Sequence, residues 1–532
     1  MVGLNDLHGR LEALPVMAGY VERLKQVRQT EGGGVLFVDA GDMLQGTLES
    51  NLNEGRAIIA TYNMMGLDAA TLGNHEFDFG PAGDAAGPDV DPQGAIRERI
   101  GEAGFPLLSA NLVERATRRR GAFENLFASA LVDVAGVAIG LVGVLTAETP
   151  QIVMPAFFKG LDVAPLAPAI TREARWLRER GARAVVVVAH AGAVCESWDD
   201  PDDVSSCRRA EIFDVVRELE PGLVDLVVAG HTHAVVAHRV NGVAIVEARS
   251  HGEAFSRADL RFDARAGVQV RIFPPEPLCP RTSSEPCHPH DYEGGSVVSH
   301  DDVRLAIEPA LTEAAVRREA LLGVEARREV APALKHESAL GNLFTDLMLD
   351  AVPGADVALT NGGGLRAALP QGPLRYRHLF EAIPFDNYLS VVELTGEELE
   401  RVLSGHLASE RHGIVSVSGL YVVARCKRVA SGASELDVAL HRKSGARVKH
   451  GERLVLVTSN YLATGGDGVF DPIGLEPSRI RETPRLVRDA LESGLKARKV
   501  IDGKSLGLFD PKHPRLILPS ARPVTCTNRT AE

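Results

Sequence analysis

Long apolar runs are missing from these 532 residues. The richest, Ala184–Ala189, gives way at once to His190, far short of the roughly 18 residues that a membrane-crossing helix needs. A membrane span is excluded on that ground. Basic residues are in the minority, with 58 Lys and Arg against 71 Asp and Glu, so the net charge is −13. Duplex binding wants a basic face, so no nucleic-acid polymer is expected as a partner, although a small anion can still find a locally opposed site. Repeats and low-complexity tracts are absent as well. A content of 45% hydrophobic, 24% charged and 5% aromatic residues excludes disordered, collagen-like and coiled-coil classes.

Cysteine is scarce, and none of the six forms a C-x-x-C motif, which removes the usual spacing of a structural zinc or redox site. Cys195 and Cys207 bracket one polar loop, Cys279 and Cys287 bracket another, and Cys426 and Cys526 are left over. Short polar loops pinched by paired cysteines suit disulfides in an oxidising compartment. The remaining pair would staple the C-terminal tail, and the expectation is an exported protein, periplasmic or extracellular. Met1-Val-Gly-Leu4 runs straight into a motif, so an export leader would lie outside these residues.

At 532 residues the chain exceeds the roughly 250–300 that one hydrophobic core supports, so two or more domains are expected. The class is α/β. Val35–Asp39, Ala69–Leu72, Ala184–Ala189 and Val224–Ala229 read as strands, Leu131–Val134 and Val137–Val144 as a hairpin, and Arg56–Met65 and Thr171–Arg180 as helices. That mixture implies a β-sandwich flanked by helices. Residues 273–295 form a connecting segment rich in Pro, Ser, Cys and Gly. Asp301–Arg328 carries a long helical pattern, after which alternation resumes with helices at Ser338–Ala351 and Gly396–Leu407 and strands at Asp356–Thr360 and Leu454–Ser459. The expected domains are residues 1–300, a linker helix over 301–328, and a smaller α/β domain over 329–532.

Acidic, amide and imidazole side chains recur where the apolar strands end: Asp6 and His8, Asp42, Asn74 and His75, His190, and His231 with His233. One histidine at a strand end is more often hydrogen-bonded than metal-bound. Five such places along one sheet edge converge in space, and that pattern calls for a metal site.

The blocks Asn5-Asp-Leu-His-Gly9, Gly41-Asp-Met-Leu-Gln-Gly46, Gly73-Asn-His-Glu-Phe-Asp78, Ala189-His-Ala-Gly192 and Gly230-His-Thr-His233 resemble the ordered blocks of calcineurin-like metallophosphatases, and in particular the 5′-nucleotidase and UDP-sugar hydrolase branch. The resemblance implies that Asp6, His8, Asp42 and His233 hold one divalent metal and that Asp42, Asn74, His190 and His231 hold a second. Asp42 would bridge them, because a carboxylate has two oxygens to share. Imidazole and carboxylate donors without thiolate suit Zn, Mn, Fe or Co. His75 would protonate the leaving group or stabilise developing charge, oriented by Asp78. Relatives usually place Ser-His where Ala189-His190 stands.

Asn361-Gly-Gly-Gly-Leu-Arg366, Pro384-Phe-Asp-Asn387 and Asn460-Tyr-Leu-Ala-Thr-Gly-Gly-Asp-Gly468 resemble, in that order, the C-terminal nucleotide-binding domain of the same family. The resemblance implies that Phe385 and Tyr461 sandwich a base, that Asp467 accepts from ribose hydroxyls, and that Asn361, Gly363 and Arg366 surround the phosphate. Leu334 stands where relatives place an arginine, three residues before the Glu of Glu337-Ser-Ala-Leu-Gly-Asn-Leu343. The implied activity is hydrolysis of nucleoside 5′-monophosphates by an activated water at a two-metal site. Rotation of the second domain about the 301–328 segment would deliver the substrate. The alternatives are a cyclic-nucleotide phosphodiesterase, a nucleotide-sugar hydrolase, a thiosulfohydrolase, or a silent binding protein on the same fold.

Overall fold

Strands buried on both faces need no polar alternation, and the valine-rich runs of the first half behave this way. In the computed structural model, which describes all residues except 84–89, 122, 209, 264–266, 281–285, 410–412, 429–433, 506 and 527–532, the chain divides into two units, Met1–Ala314 and Ala315–Glu532.

The first unit holds two facing sheets. One has the order Val235–Val240, Val243–Ala248, Leu226–Ala229, Ala184–His190, Val137–Leu145 and Ser129–Val134. Its centre is parallel, with Ala189 in register with both Val144 and Ala229. The other sheet runs Gly267–Ile272, Ala254–Asp263, Val2–Leu4, Phe37–Asp39, Ala69–Thr71, Leu107–Leu108 and Leu126–Phe127, and Glu276–Pro277 pairs with Ala254–Asp263 off this path. Successive strand residues face opposite layers. Val186 and Val188 enter the layer between the sheets with Val38, Leu108 and Val228. Val185 and Val187 face outward into a cluster with Ile170 and Leu177 of the helix Leu166–Glu179 and Phe213 of the helix Glu211–Glu218. The helices Leu14–Thr30 and Arg56–Met65 cover the far side of the other sheet. The expected sandwich with flanking helices is present. The helix read from Thr171 begins at Leu166 instead, because a proline in the first turn, here Pro168, costs no helical hydrogen bond.

The second unit is built on a mixed five-stranded sheet, ordered Val415–Ser418, Val357–Asn361, Arg453–Ser459, Tyr388–Thr395 and Ile480–Leu486. Ala339–Ala351 and Gly396–Ala408 are its main helices before residue 410. Thr395 and Glu398 cap the latter reciprocally, the Thr395 hydroxyl accepting from the Glu398 N–H while the Glu398 carboxylate accepts from the Thr395 N–H.

The helical pattern over 301–328 is only partly a helix. It runs from Asp301 to Glu319 and is followed by a strand, Leu321–Ala326. The physical reason is a change of period. Leu322, Val324 and Ala326 are buried while Leu321, Gly323 and Glu325 are exposed, a repeat of two that pairs with Gly372–Arg375 and Val500–Ile501. Three disulfides join Cys195 to Cys207, Cys279 to Cys287 and Cys426 to Cys526, as expected. The loop between Cys279 and Cys287 lies mostly outside the described residues. No described helix is long and apolar enough to cross a membrane.

Candidate functional site

The loops that leave Val2–Leu4, Phe37–Asp39, Ala69–Thr71, Ala184–His190 and Leu226–Ala229 emerge at the carboxyl ends of parallel strands, where open α/β sheets place their sites. These loops turn sharply. Asp6, His8, Asp42, His231 and His233 all hold φ between 49° and 80°, a left-handed conformation that is unfavourable for side chains other than glycine and is kept only where the surroundings over-determine it. Gly73 permits the closest approach: a Cβ there would lie 2.1 Å from Asp42 Oδ1.

Two donor clusters result. Asp6, His8 and His233 offer ligand atoms within 4.8 Å of one another, and so do Asp42, His190 and His231. Asn74 joins the second through its Oδ1, 3.1 Å from His190 Nε2, and Asp42 Oδ2 lies 3.1 Å from the same nitrogen. In the first cluster His233 Nε2 is 3.0 Å from His8 Nε2 and 3.4 Å from Asp6 Oδ1. All seven residues named from the sequence as metal ligands are therefore brought together.

The hydrogen bonds decide what the clusters can hold. His8 Nδ1 faces the Gln45 carbonyl at 2.9 Å and His190 Nδ1 faces the Ala40 carbonyl at 2.8 Å, so both Nδ1 atoms carry the proton. In the neutral rings the His190 Nε2 lone pair then points at two acceptors, Asn74 Oδ1 and Asp42 Oδ2, which a cation reconciles, while that of His8 points at His233 Nε2. In the protein alone a proton does so in part. Burial works against a charged His190, but Asp42 outweighs it and raises the imidazole to about 10. His8, whose charge is disfavoured chiefly by burial, falls to about 3. Burial opposes the ionised form of Asp42, yet His190 and His75 hold it well below the usual carboxylate range. Carboxylate and imidazole donors without thiolate fit a divalent ion in each cluster.

His75 stands beside the clusters. Its backbone N–H donates to Asp42 Oδ1 at 2.8 Å, and its Nδ1 lies 2.5 Å from Asp78 Oδ2. Burial opposes its charge, but Asp78 and then Asp42 outweigh that and raise it to about 10. Asp78 accepts the hydrogen bond from Nδ1–H, so Nε2–H is the end left to act.

Glu76, the acid of the Gly-Asn-His-Glu block, was given no role by sequence reasoning. It is fully buried, and its carboxylate accepts from the backbone N–H groups of Asp42 (2.8 Å), Met43 (2.7 Å), Leu44 (3.2 Å) and Gly73 (2.5 Å). It thereby ties the loop that carries Asp42 to the loop that carries Asn74. The only signal in the sequence was its place directly after Asn74 and His75. Glu247 acts similarly on the histidine loop, accepting from the Thr232 hydroxyl at 2.7 Å.

In the second unit Asn361 Nδ2 donates to Asp467 Oδ2 at 2.7 Å and the Tyr461 hydroxyl donates to Asp467 Oδ1 at 2.9 Å. Burial and then Asp467 push the Tyr461 hydroxyl up to about 12. The Arg366 guanidinium lies 5.3 Å from the Phe385 ring centroid. Around Gly363 the nearest atoms to a Cβ would be 3.8 Å away, so its turn is open. Five of the six residues named for substrate thus fall into two contacts, Asn361–Asp467–Tyr461 and Arg366–Phe385. Buried Arg488 was missed. It donates to the carbonyls of Ile383 and Phe385 and pairs with Asp386, which holds the Phe385 turn. Leu334 is 58% exposed and contributes its carbonyl to the Ile414 N–H.

Comparison with known proteins agrees with this geometry. Residues 2–235 match the calcineurin-like phosphoesterase family, and residues 317–473 match the C-terminal domain of 5′-nucleotidases. Calcineurin-like metallophosphoesterases use a dinuclear divalent metal site, which the two donor clusters fit. The chain belongs to the 5′-nucleotidase family of metallophosphoesterases.

Endonuclease YhcR of Bacillus subtilis (strain 168) is 26% identical over 89% of this chain and 38% of its own length. Cell wall protein Lmo0130 of Listeria monocytogenes is 27% identical over 88% and 63%, so the chain spans well under two thirds of one of these relatives and just under two thirds of the other. Protein UshA of Yersinia enterocolitica is 25% identical over 90% of this chain and 87% of its own. Among solved structures, a 5′-nucleotidase precursor from Thermus thermophilus superposes with a TM-score of 0.63 at 24% identity, covering 97% and 98% of the two chains. The sulfate thiohydrolase SoxB of the same genus reaches 0.56 at 18%, covering 97% and 84%. These likenesses speak for the fold.

Proposed function

We propose that the chain is an exported 5′-nucleotidase that releases phosphate from nucleoside 5′-monophosphates. The observation that carries this reading is the convergence of Asp6, His8, Asp42, Asn74, His190, His231 and His233 beside a histidine held protonated by its own carboxylate. Two divalent ions, when bound there, would neutralise charge on phosphoryl oxygens and acidify a water. Asp42, with two oxygens, serves both clusters. His75 donates its Nε2 proton to the departing ribose oxygen, and Asp78 keeps the ring aimed. In the second unit Phe385 and Tyr461 offer aromatic faces for the base, Asp467 accepts from ribose hydroxyls once Asn361 and Tyr461 yield to them, and Arg366 with Asn361 and the Gly363 turn receives the phosphate. The three disulfides support export.

One observation favours a second reading. An exposed Leu334 near the glycine turn supplies no charge where a further arginine would grip a phosphate, which suits a cyclic or sugar nucleotide equally well. Turnover of AMP, UMP, 2′,3′-cyclic AMP and UDP-glucose, followed by separating the products and by phosphate release, with Mn²⁺ and then with chelator, distinguishes the two. Chelator-sensitive release from AMP and UMP is expected. Turnover confined to the cyclic or sugar nucleotide would overturn the substrate and keep the centre.

A further inference from the structure

Cys195 lies directly opposite Cys207 in a short antiparallel ladder, and their loop is anchored to a neighbouring strand by the Arg239 N–H, which donates to the Pro201 carbonyl at 2.6 Å. His238, on that same strand, is wholly buried, and a ring nitrogen of it lies within 4.8 Å of both sulfurs. Its Nε2 faces the Ser197 carbonyl at 3.1 Å. A carbonyl accepts only, so Nε2 carries the proton and Nδ1 keeps a bare lone pair. That Nδ1 is buried with no hydrogen-bond partner. Metal-binding histidines have this arrangement, one nitrogen donating to a carbonyl and the other left as a donor atom for the ion.

We propose that Cys195, Cys207 and His238 form a second, sulfur-rich metal site that opens when their disulfide is reduced, and that it takes a soft d¹⁰ cation such as Zn²⁺ or Cu⁺. A dithiol delivers two electrons and two protons, closing to its own disulfide, as the Cys195–Cys207 bond breaks and two S–H bonds form. A divalent ion then displaces both thiol protons to solvent and gains two thiolates and one imidazole, with a fourth position open. The ladder and the loop anchor hold the sulfurs near His238 without the covalent bond. The choice of metal follows from the donors. Thiolate selects soft ions, whereas the dinuclear clusters contain no sulfur.

The test uses the full chain, reduced anaerobically with a phosphine, freed of it and titrated with Cd²⁺. Thiolate-to-cadmium charge transfer is silent to imidazole and carboxylate ligands. The expected result is one Cd²⁺ per chain in that band, with Cys195 and Cys207 protected from alkylation when read peptide by peptide by mass spectrometry. The oxidised chain should give no band. His238→Phe should weaken the binding at least about tenfold. Equal alkylation of Cys195 and Cys207 with and without Cd²⁺, or protection unchanged in His238→Phe, would overturn the site.

Discussion

The two units carry their chemistry on different kinds of scaffold. In Met1–Ala314 five of the seven donors sit on left-handed turns, Asp6, His8, Asp42, Asn74 and His190 are buried, and the site is tied by backbone carbonyls and by the Glu76 carboxylate. In Ala315–Glu532 the aromatic and polar groups are half-buried and hold mainly one another, as in Asn361–Asp467–Tyr461. A metal site must be built before the ion arrives, because mutually repelling acceptors will not gather by themselves. A substrate cradle can close on hydrogen bonds that it exchanges for the ligand's own.

That contrast is breakable, and the largest effect is expected in the first unit. Asp42→Asn should cut turnover about 10³-fold or more, since losing the shared carboxylate removes several kcal/mol of charge stabilisation, while circular dichroism stays native. Near-normal kcat would end the bridging role. Glu76→Gln comes next. One acceptor oxygen cannot serve four N–H groups, so metal affinity should drop about 10- to 100-fold, read by calorimetry; an unchanged affinity would make Glu76 a bystander. Phe385→Ala should act on the second unit alone, raising KM about tenfold for a stacked base with metal content unaltered. A fall in kcat at constant KM would contradict a binding role.

The smallest effect concerns the helix cap in the second unit. Arg479 holds the Glu398 carboxyl down to about 2 from 4.5. A depressed acid stabilises the fold fully above 4.5, and that contribution fades as pH falls from 4.5 through about 2. Glu398→Gln should cost about 1 kcal/mol at neutral pH and lose that slope, measured by thermal unfolding across the acid range. Identical pH profiles for the two proteins would show that the pair contributes nothing to stability.

Much of this is legible in the order of residues alone. Local patterns place Arg56–Met65 and Ala184–Ala189 correctly, because a helical or strand period needs only neighbouring residues. The donors are visible as polar residues ending apolar strands, and two of the three disulfides close the polar loops that their cysteines bracket. The strand Leu321–Ala326 is hidden inside a helical pattern, since its partners Gly372–Arg375 and Val500–Ile501 lie far along the chain. Glu76 and Arg488 are hidden for the same reason, each serving backbone groups that no spacing rule brings near it.

The sequence by itself determined which atoms can bind metal, which strands carry them and which cysteines are available to pin the chain. Tertiary structure decided how those atoms face one another. The left-handed turns, the clamp by Glu76 and the unpartnered nitrogen of His238 beside a disulfide all depend on packing between distant segments. Donor identity is a property of single residues, whereas convergence and protonation are properties of the burial and charge that only the folded chain creates.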